Sequence, residues 1–402
     1  MDVRSSLTAL TLLAFFMADV RDGLGPFLAT WLQENRVPQH WIGYTMTAGG
    51  LAAMAATPLA GAWADRTHAK RAMTVGATLL TLGASALAFM SLSGPVLMLS
   101  QVLTGIGGAV LAAAMAALTL GLARDEGFRV QTGRNEAANH AGNIVSAIGA
   151  GCAAHFLGAP WMLAVMAAMC AGALVAVRNI RSQDIDHLAA RGCPADEGPD
   201  TPGDDRAAPA AAPPWRNGPL LLFGLACACF HLGNAAMLPL LNQRLAAGPA
   251  GSAPLLWTGI AIVVAQLTMI PVALWVARSR RFDVSWFVYL AILVLPLRGA
   301  LAYTFASEWN NIPVQVLDGI AAGILGIATP LLVQRHSRGS GRFNTALGFV
   351  MTLQGIGAAF SPTLANTIVG SEGRFGPAFV ALACASLLTL PLFWWSERDP
   401  RR

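Results

Sequence analysis

The residues of this sequence with chemistry to offer are few, and they interrupt apolar stretches. Between Phe15 and Pro26 the chain reads FFMADVRDGLGP, and Asp19, Arg21 and Asp22 break a segment that is otherwise apolar from Leu7 to Leu32. Such a segment is long enough to cross a hydrocarbon core of roughly 30 Å. Each charge at the centre of a spanning helix costs about 2.5 to 3.5 kcal/mol, so three within one turn must face a protein interior or a watery cavity. Asp19 and Asp22 share a helix face, and Arg21 points elsewhere. Gly23, Gly25 and Pro26 weaken the helix just beyond. The same three-residue spacing recurs in other apolar stretches as Gln101 with Thr104, His231 with Asn234, and Gln315 with Asp318. Buried carboxyls are suited to taking up and releasing protons, because burial raises a carboxyl pKa towards the working range. Arg21, or Arg298 in another apolar stretch, is suited to holding an anionic group, since a guanidinium stays charged when buried.

The elements that must position these groups are spanning helices. Of 402 residues, 55% are hydrophobic and 12% charged, a balance that a soluble domain with a polar surface rarely reaches. Twelve candidate spans follow, near 6–32, 41–63, 72–92, 96–122, 137–158, 161–178, 217–241, 254–277, 284–306, 311–334, 343–369 and 376–396. With the first residues inside, the loops on that side carry basic residues such as Arg66, Lys70, Arg71, Arg124, Arg134, Arg178, Arg281 and Arg335. The other side has Arg36, Arg244 and Arg374. This asymmetry predicts cytoplasmic termini. The first apolar run is too long, and too interrupted by acid, for a cleavable signal. The stretch 179–215, rich in Asp, Pro and Ala, is expected to be a disordered cytoplasmic linker between halves 1–178 and 216–402. The halves repeat one another: QVLTGI at Gln101–Ile106 returns as QVLDGI at Gln315–Ile320, and Gly142 and Gly149 return as Gly348 and Gly355. Parallel six-span repeats are an architecture of transporters that rock two halves about a midplane site. The expected fold is therefore an all-α polytopic membrane protein, with twelve transmembrane helices in two pseudo-symmetric six-helix bundles.

Other function classes lack their signatures. Lys70, the single lysine, is followed by Arg71, so there is no phosphate-binding loop, and neither HExxH nor GxSxG occurs. The six cysteines show no metal-ligand or disulfide spacing and are expected to be small buried side chains. No enzyme, cofactor, metal or nucleic-acid partner is expected.

After the second span the sequence runs Gly61-Ala-Trp-Ala-Asp65-Arg66-Thr-His-Ala-Lys70-Arg71. This resembles the signature loop of the major facilitator superfamily, whose members are secondary transporters. The resemblance implies that Gly61 permits close helix packing. It also implies that Asp65, Arg66, Lys70 and Arg71 form charge contacts between cytoplasmic helix ends that break and re-form as the halves rock. The family lines its cavity with the first, fourth, seventh and tenth spans. The resemblance thus makes Asp19, Arg21, Asp22, Gln101, Thr104, His231, Asn234, Gln315 and Asp318 the candidate substrate and proton site, with Arg298 pairing one of these acids. Two departures stand out: Gln101 replaces an Arg found in many proton-coupled members, and Ile148–Gly151 lacks the Gly-Pro motif of the drug antiporters.

The expected function is secondary active transport of a small organic solute across a bacterial-type inner membrane by alternating access. Protons are the expected coupling ion, export is favoured over uptake, and the protein is expected to work as a monomer in the bilayer. A transport-inactive sensor on the same scaffold, or a uniporter or importer of an organic anion, is the alternative.

Overall fold

The computed structural model describes residues 3–22, 28, 31–32, 35, 37, 39–158, 160–193, 213–246, 254–304, 307–369 and 374–398. These residues are helical with no strand, and nine of their helices are long and apolar enough to cross a membrane. In chain order the helices are α1 (Val3–Asp22), α2 (Gln39–Arg66), α3 (Lys70–Met90), α4 (Gly94–Leu157) and α5 (Trp161–Asn179). They continue as α6 (Gly218–Asn234), α7 (Met237–Ala246), α8 (Pro254–Arg278), α9 (Val284–Thr304), α10 (Asn311–Ser337), α11 (Phe343–Val369), α12 (Phe375–Leu387) and α13 (Thr389–Glu397). Each of the twelve spans read from the sequence overlaps one of these helices or a consecutive pair, and the first is described as helix only as far as Asp22. The long α4 holds two of them, separated where Arg124 leaves helical geometry at φ 51° and ψ −177°. A positive φ is costly for a side chain other than glycine. Here the Arg124 guanidinium reaches Asp186 at 3.2 Å, and Asp186 in turn donates its backbone N–H to the Gly121 carbonyl.

The helices fall into two compact units, residues 1–211 with 337–348, and residues 212–336 with 349–402. In the first unit α1 is held by Leu10, Leu13 and Met17 against Leu111 and Leu118 of α4 and against Met166, Cys170 and Ala173 of α5. Hydrocarbon solvates a leucine as well as a protein does, so close van der Waals fit and buried polar contacts have to hold such helices together. Both appear in this unit. Gln131 Nε2 donates to Thr11 Oγ1 at 2.9 Å and to Asn135 Oδ1 at 2.8 Å, and Asn135 Nδ2 donates to Thr119 Oγ1 at 2.9 Å. This chain of amides and hydroxyls ties α1 to both arms of α4 at its break.

In the second unit Met237, Leu240 and Leu241 of α7 pack with Ala302 of α9, Val314 of α10, Ala365 and Val369 of α11, and Phe379 and Leu382 of α12.

The first part of the stretch expected to be a disordered linker is folded. Residues 180–193 carry short 3-10 turns at Ser182–Asp184 and Ala189–Arg191 and bury Ile180, Ile185, Ala189, Ala190 and Cys193 on the first unit. Apolar residues spaced through an otherwise polar stretch explain the docking. Residues 194–212 of the expected linker lie outside the described residues. Of the cysteines, Cys170, Cys193 and Cys227 are buried as expected, whereas Cys152 and Cys384 are exposed on helix surfaces.

Candidate functional site

Three groups of the sequence-selected residues are located by the structure, and the first is built by a local irregularity in the helices.

The first lies in the second unit. The apolar segment 218–241 is broken after Asn234: α6 ends there, α7 starts at Met237, and the freed Ala236 N–H is taken up by the Ser361 hydroxyl at 2.9 Å. Facing this break, α9 carries Pro296, which removes a backbone donor two residues before Arg298. Arg298 is buried to 1% exposure, and its guanidinium reaches Asp318 Oδ1 of α10 at 3.0 Å. It also donates to Asn234 Oδ1 at 2.6 Å, while Asn234 Nδ2 donates to Asp318 Oδ1 at 3.2 Å. Arginine, aspartate and asparagine thus form a closed triangle. One turn along α6, His231 Nδ1–H donates to the Cys227 carbonyl at 3.0 Å, which leaves Nε2 for other partners. Gln315, one turn before Asp318, is fully buried, and neither end of its amide has a partner among the described residues. Such a group costs about 1–3 kcal/mol unless something else satisfies it. Asn311, a further turn back, is in the same position.

The second group lies in the first unit. Gln101 and Thr104 sit on the first arm of α4, and Gln101 Nε2 and the buried Thr104 Oγ1 have no described partner. They flank a tight crossing with α2, where a Cβ on Gly49 would come within 3.1 Å of the Gln101 backbone oxygen. Asp19, Arg21 and Asp22 occupy the last turns of α1. Their side chains lie outside the described part, and so does the glycine-rich segment after them.

The third group is the loop after α2, and here the expected charge contacts take another form. Asp65 is buried just past the apolar stretch 41–63, and its four hydrogen bonds come from neutral donors at the first turn of α11. Asn344 gives its backbone N–H at 3.0 Å and its side-chain amide at 2.8 Å to Oδ1; Thr345 gives its N–H at 2.8 Å and its hydroxyl at 2.6 Å to Oδ2. A carboxyl group against the unsatisfied N–H groups of a helix start is a favourable arrangement in its own right, so no basic side chain is needed. Burial pushes the Asp65 carboxyl above the usual carboxylate range, and these four bonds pull it back only in part. Gly61 makes the contact possible, because a Cβ there would run into the Asn344 carbonyl group.

The basic residues of the loop serve a different segment. Lys70 is fully buried and donates to the Thr67 carbonyl at 2.8 Å, with His187 Nδ1 at 3.2 Å. Arg71 donates to the Val177 and Arg178 carbonyls and to the Ser182 hydroxyl at 2.8 Å. Arg71 therefore holds the end of α5 and the start of the docked segment 180–193, and Lys70 ties its own loop to that segment at His187. Arg66 is exposed.

Residues 10–362 match the sequence profile of the Major Facilitator Superfamily. The chain belongs to that superfamily. It is 40% identical over 377 residues to a protein of Mycobacterium tuberculosis called an uncharacterized MFS-type transporter, covering 93% of this chain and 88% of that one. A Deinococcus radiodurans protein called a sugar efflux transporter is 24% identical over 406 residues, 98% of each chain. Among solved structures, a human organic anion transporter superposes with a TM-score of 0.70 at 17% identity, over 98% of this chain and all of that one. The proton:xylose symporter XylE does so at 0.71 with 13% identity, over 98% and 95%. The chain is thus an integral membrane transporter of all-helical fold and not an enzyme.

Two features were not read from the sequence. The Gln131–Asn135–Thr119 network escaped because it depends on the break at Arg124, which no residue pattern announces. In the second unit, Arg335 donates to Asp283 at 2.7 Å and to Glu397 at 3.2 Å, Ser285 bonds Glu397, and His336 reaches Glu397 at 3.4 Å. Acids and bases just outside three span ends on one side of the membrane were the available signal.

Proposed function

We propose that this transporter is a secondary active carrier that moves a small organic solute by alternating access, coupled to protons and working in export. The observation that carries this reading is the buried Arg298–Asp318–Asn234 triangle at a helix break, in an otherwise apolar part of the second unit. An ion pair there is a poor device for stability, because desolvation offsets most of the attraction. It is a good device for exchange. A hydroxylated solute donates to the ionised Asp318 while Arg298 donates to its oxygens. Protonation of Asp318 removes that acceptor, so proton and solute exclude each other at the pair, which is what exchanging one for the other requires. The vacant amides of Gln315 and Asn311 suit hydroxyl or carbonyl groups of a polar solute, and the name of the Deinococcus relative supports both a hydroxylated solute and export.

Asp19 and Asp22 are the coupling carboxyls proposed for the first unit, with Arg21, Gln101, Thr104 and His231 as further polar contacts. A bacterial inner membrane with both termini cytoplasmic fits the mycobacterial relative and the distribution of basic residues. The test is solute flux in proteoliposomes under an imposed pH gradient, screened with sugars and organic anions. Wild type should show gradient-driven flux and Asp318→Asn should lose the pH dependence. Equal pH-dependent flux in both would end the proton-coupling role of this pair.

A further inference from the structure

The turn between α8 and α9 carries a charged patch that neither the polar triangle nor the ion cluster around Glu397 uses. Five residues, Ser279 to Asp283, join the two helices. On the internal repeat that carries Pro58 to Pro271, this turn is the second copy of the loop after α2, with Leu274 where the first has Gly61 and Arg278 where it has Asp65. The glycine and the carboxylate that dock the first loop are therefore both missing from the second. Arg278, Arg280 and Arg281 are all exposed, and none of them has a carboxylate partner among the described residues. Asp283, the one acid of the turn, is taken on both oxygens, by Arg335 at 2.7 Å and by the Ser285 N–H at 3.0 Å. The arginines stand beside aromatic rings. The Arg281 guanidinium lies 5.5 Å from the centre of the Phe282 ring. Phe282 and Trp275 both pack edge-on against the buried Phe287, with ring centres 6.2 and 5.0 Å away, so their positions are fixed from beneath. Even so, Trp275, Phe282 and Trp286 remain 51%, 45% and 68% exposed. Trp275 lies one turn before Arg278 on α8, which puts ring and guanidinium on one face of that helix.

We propose that this patch binds the headgroup of an anionic phospholipid, with the exposed rings of Trp275 and Trp286 against the upper part of its acyl chains. Guanidinium groups supply the forked donors that match phosphate oxygens. Indole rings settle at the level of the headgroups, so Trp275 and Trp286 place the three arginines at the depth of the lipid phosphates. A soluble anion would use the arginines and gain nothing from the rings. A zwitterionic headgroup brings a cation of its own and leaves the arginines uncompensated, so the site favours a net negative lipid. The bound lipid lies beside a junction of three helices, because Asp283 and Ser285 of this turn hold Arg335 of α10 and Glu397 of α13. An occupied site therefore fixes the depth of that junction in the bilayer.

The test uses the purified full-length chain in lipid-free detergent, titrated with phosphatidylglycerol, phosphatidylcholine or inorganic phosphate, with bound lipid counted by native mass spectrometry. Wild type should retain phosphatidylglycerol over phosphatidylcholine. Arg278→Gln with Arg281→Gln should weaken phosphatidylglycerol about thirtyfold, from about 1 kcal/mol for each arginine at tenfold per 1.4 kcal/mol. Arg281→Gln alone should weaken it about fivefold, and serves if the double variant does not fold. Arg178→Gln with Arg342→Gln removes the same net charge from two exposed positions of the first unit and should bind as wild type does. Unchanged binding in the Arg278 and Arg281 variants would overturn the proposal, as would an equal loss in the control pair or equal retention of the two lipids by wild type. Displacement of phosphatidylglycerol by millimolar inorganic phosphate would also overturn it, in favour of a soluble anion.

Discussion

Asp318→Asn should destabilise the protein more than Arg298→Gln does, although each removes one member of the same pair. At the 3.0 Å separation observed, and with the effective dielectric near 20 that suits protein sites, the direct attraction is about 5 kcal/mol. That agrees with the roughly 3–5 kcal/mol lost when one partner of a buried pair is deleted. The two deletions differ in what they leave behind. An isolated carboxyl group escapes the penalty of burial by taking a proton, whereas an arginine cannot lose one in a protein. Arg298 at 1% exposure has no route to water either, and Asn234 already gives it one oxygen. The double variant Arg298→Gln with Asp318→Asn removes both charges and should recover most of the loss. Thermal unfolding in detergent, followed by tryptophan fluorescence, should therefore rank wild type and the double variant above Arg298→Gln, and Arg298→Gln above Asp318→Asn. A double variant as unstable as Asp318→Asn would refute this reasoning, because the pair would then be holding the helices together rather than neutralising a charge.

The remaining predictions concern the helix ends. Gly61→Ala places a methyl 2.7 Å from the Asn344 carbonyl carbon and should cost about 1–3 kcal/mol of overpacking, read as a lower melting temperature with faster protease cleavage near residues 337–348. Asp65→Ala strands the donors of Asn344 and Thr345 and should cost about 3 kcal/mol or more, whereas Asp65→Asn keeps one acceptor and should cost about half as much in the same assay. At Asp283 burial alone would raise the carboxyl pKa, but the Arg335 hydrogen bond, the Ser285 bonds and the Arg335 charge outweigh it and hold the group below its ordinary value. A depressed carboxylate stabilises the fold above its unfolded pKa of about 4, and that contribution disappears as pH falls through the lower folded value. Melting temperature should consequently drop as pH falls below about 4 in wild type, and Arg335→Gln should flatten that drop.

The parts of this molecule that follow from transfer energetics were legible in the sequence. A span needs about 20 apolar residues wherever it sits, so helix positions could be read one segment at a time. Buried charges are so costly that Arg298 and Asp318 stood out before their pairing was known. Asp65 shows where such reading stops. Its neighbours in sequence are Arg66, Lys70 and Arg71, and the resemblance to the signature loop implies charge contacts, but its partners are nearly 280 positions away and uncharged. The basic residues were equally misleading, because Arg71 serves carbonyls at the end of α5, Lys70 serves a carbonyl of its own loop, and both reach a segment whose composition looked disordered. Long-range backbone donors leave no trace in residue type, since every residue except proline carries one.

That distinction bears on how the signature loop works. A carboxylate held by salt bridges releases its partners into water, where each charge is well solvated. Asp65 instead faces backbone N–H groups at the start of α11, and those groups are already orphaned by helix geometry. Separation of the two would expose a buried carboxyl and leave two amide donors to be hydrated together, so the contact should break as one unit rather than bond by bond. Gly61 and Gly348 set the distance at which this holds: a Cβ on Gly348 would lie 2.8 Å from the Thr57 carbonyl oxygen, one turn before Gly61 on the same helix. Two glycines on opposite helices keep the backbones close enough for the carboxyl group to reach the helix start. Enlarging either one should therefore weaken the Asp65 contact even though neither side chain touches it, and Gly348→Ala should lower the melting temperature in the same direction as Gly61→Ala. If Gly348→Ala melted as wild type does, close backbone approach would not be what holds Asp65 in place.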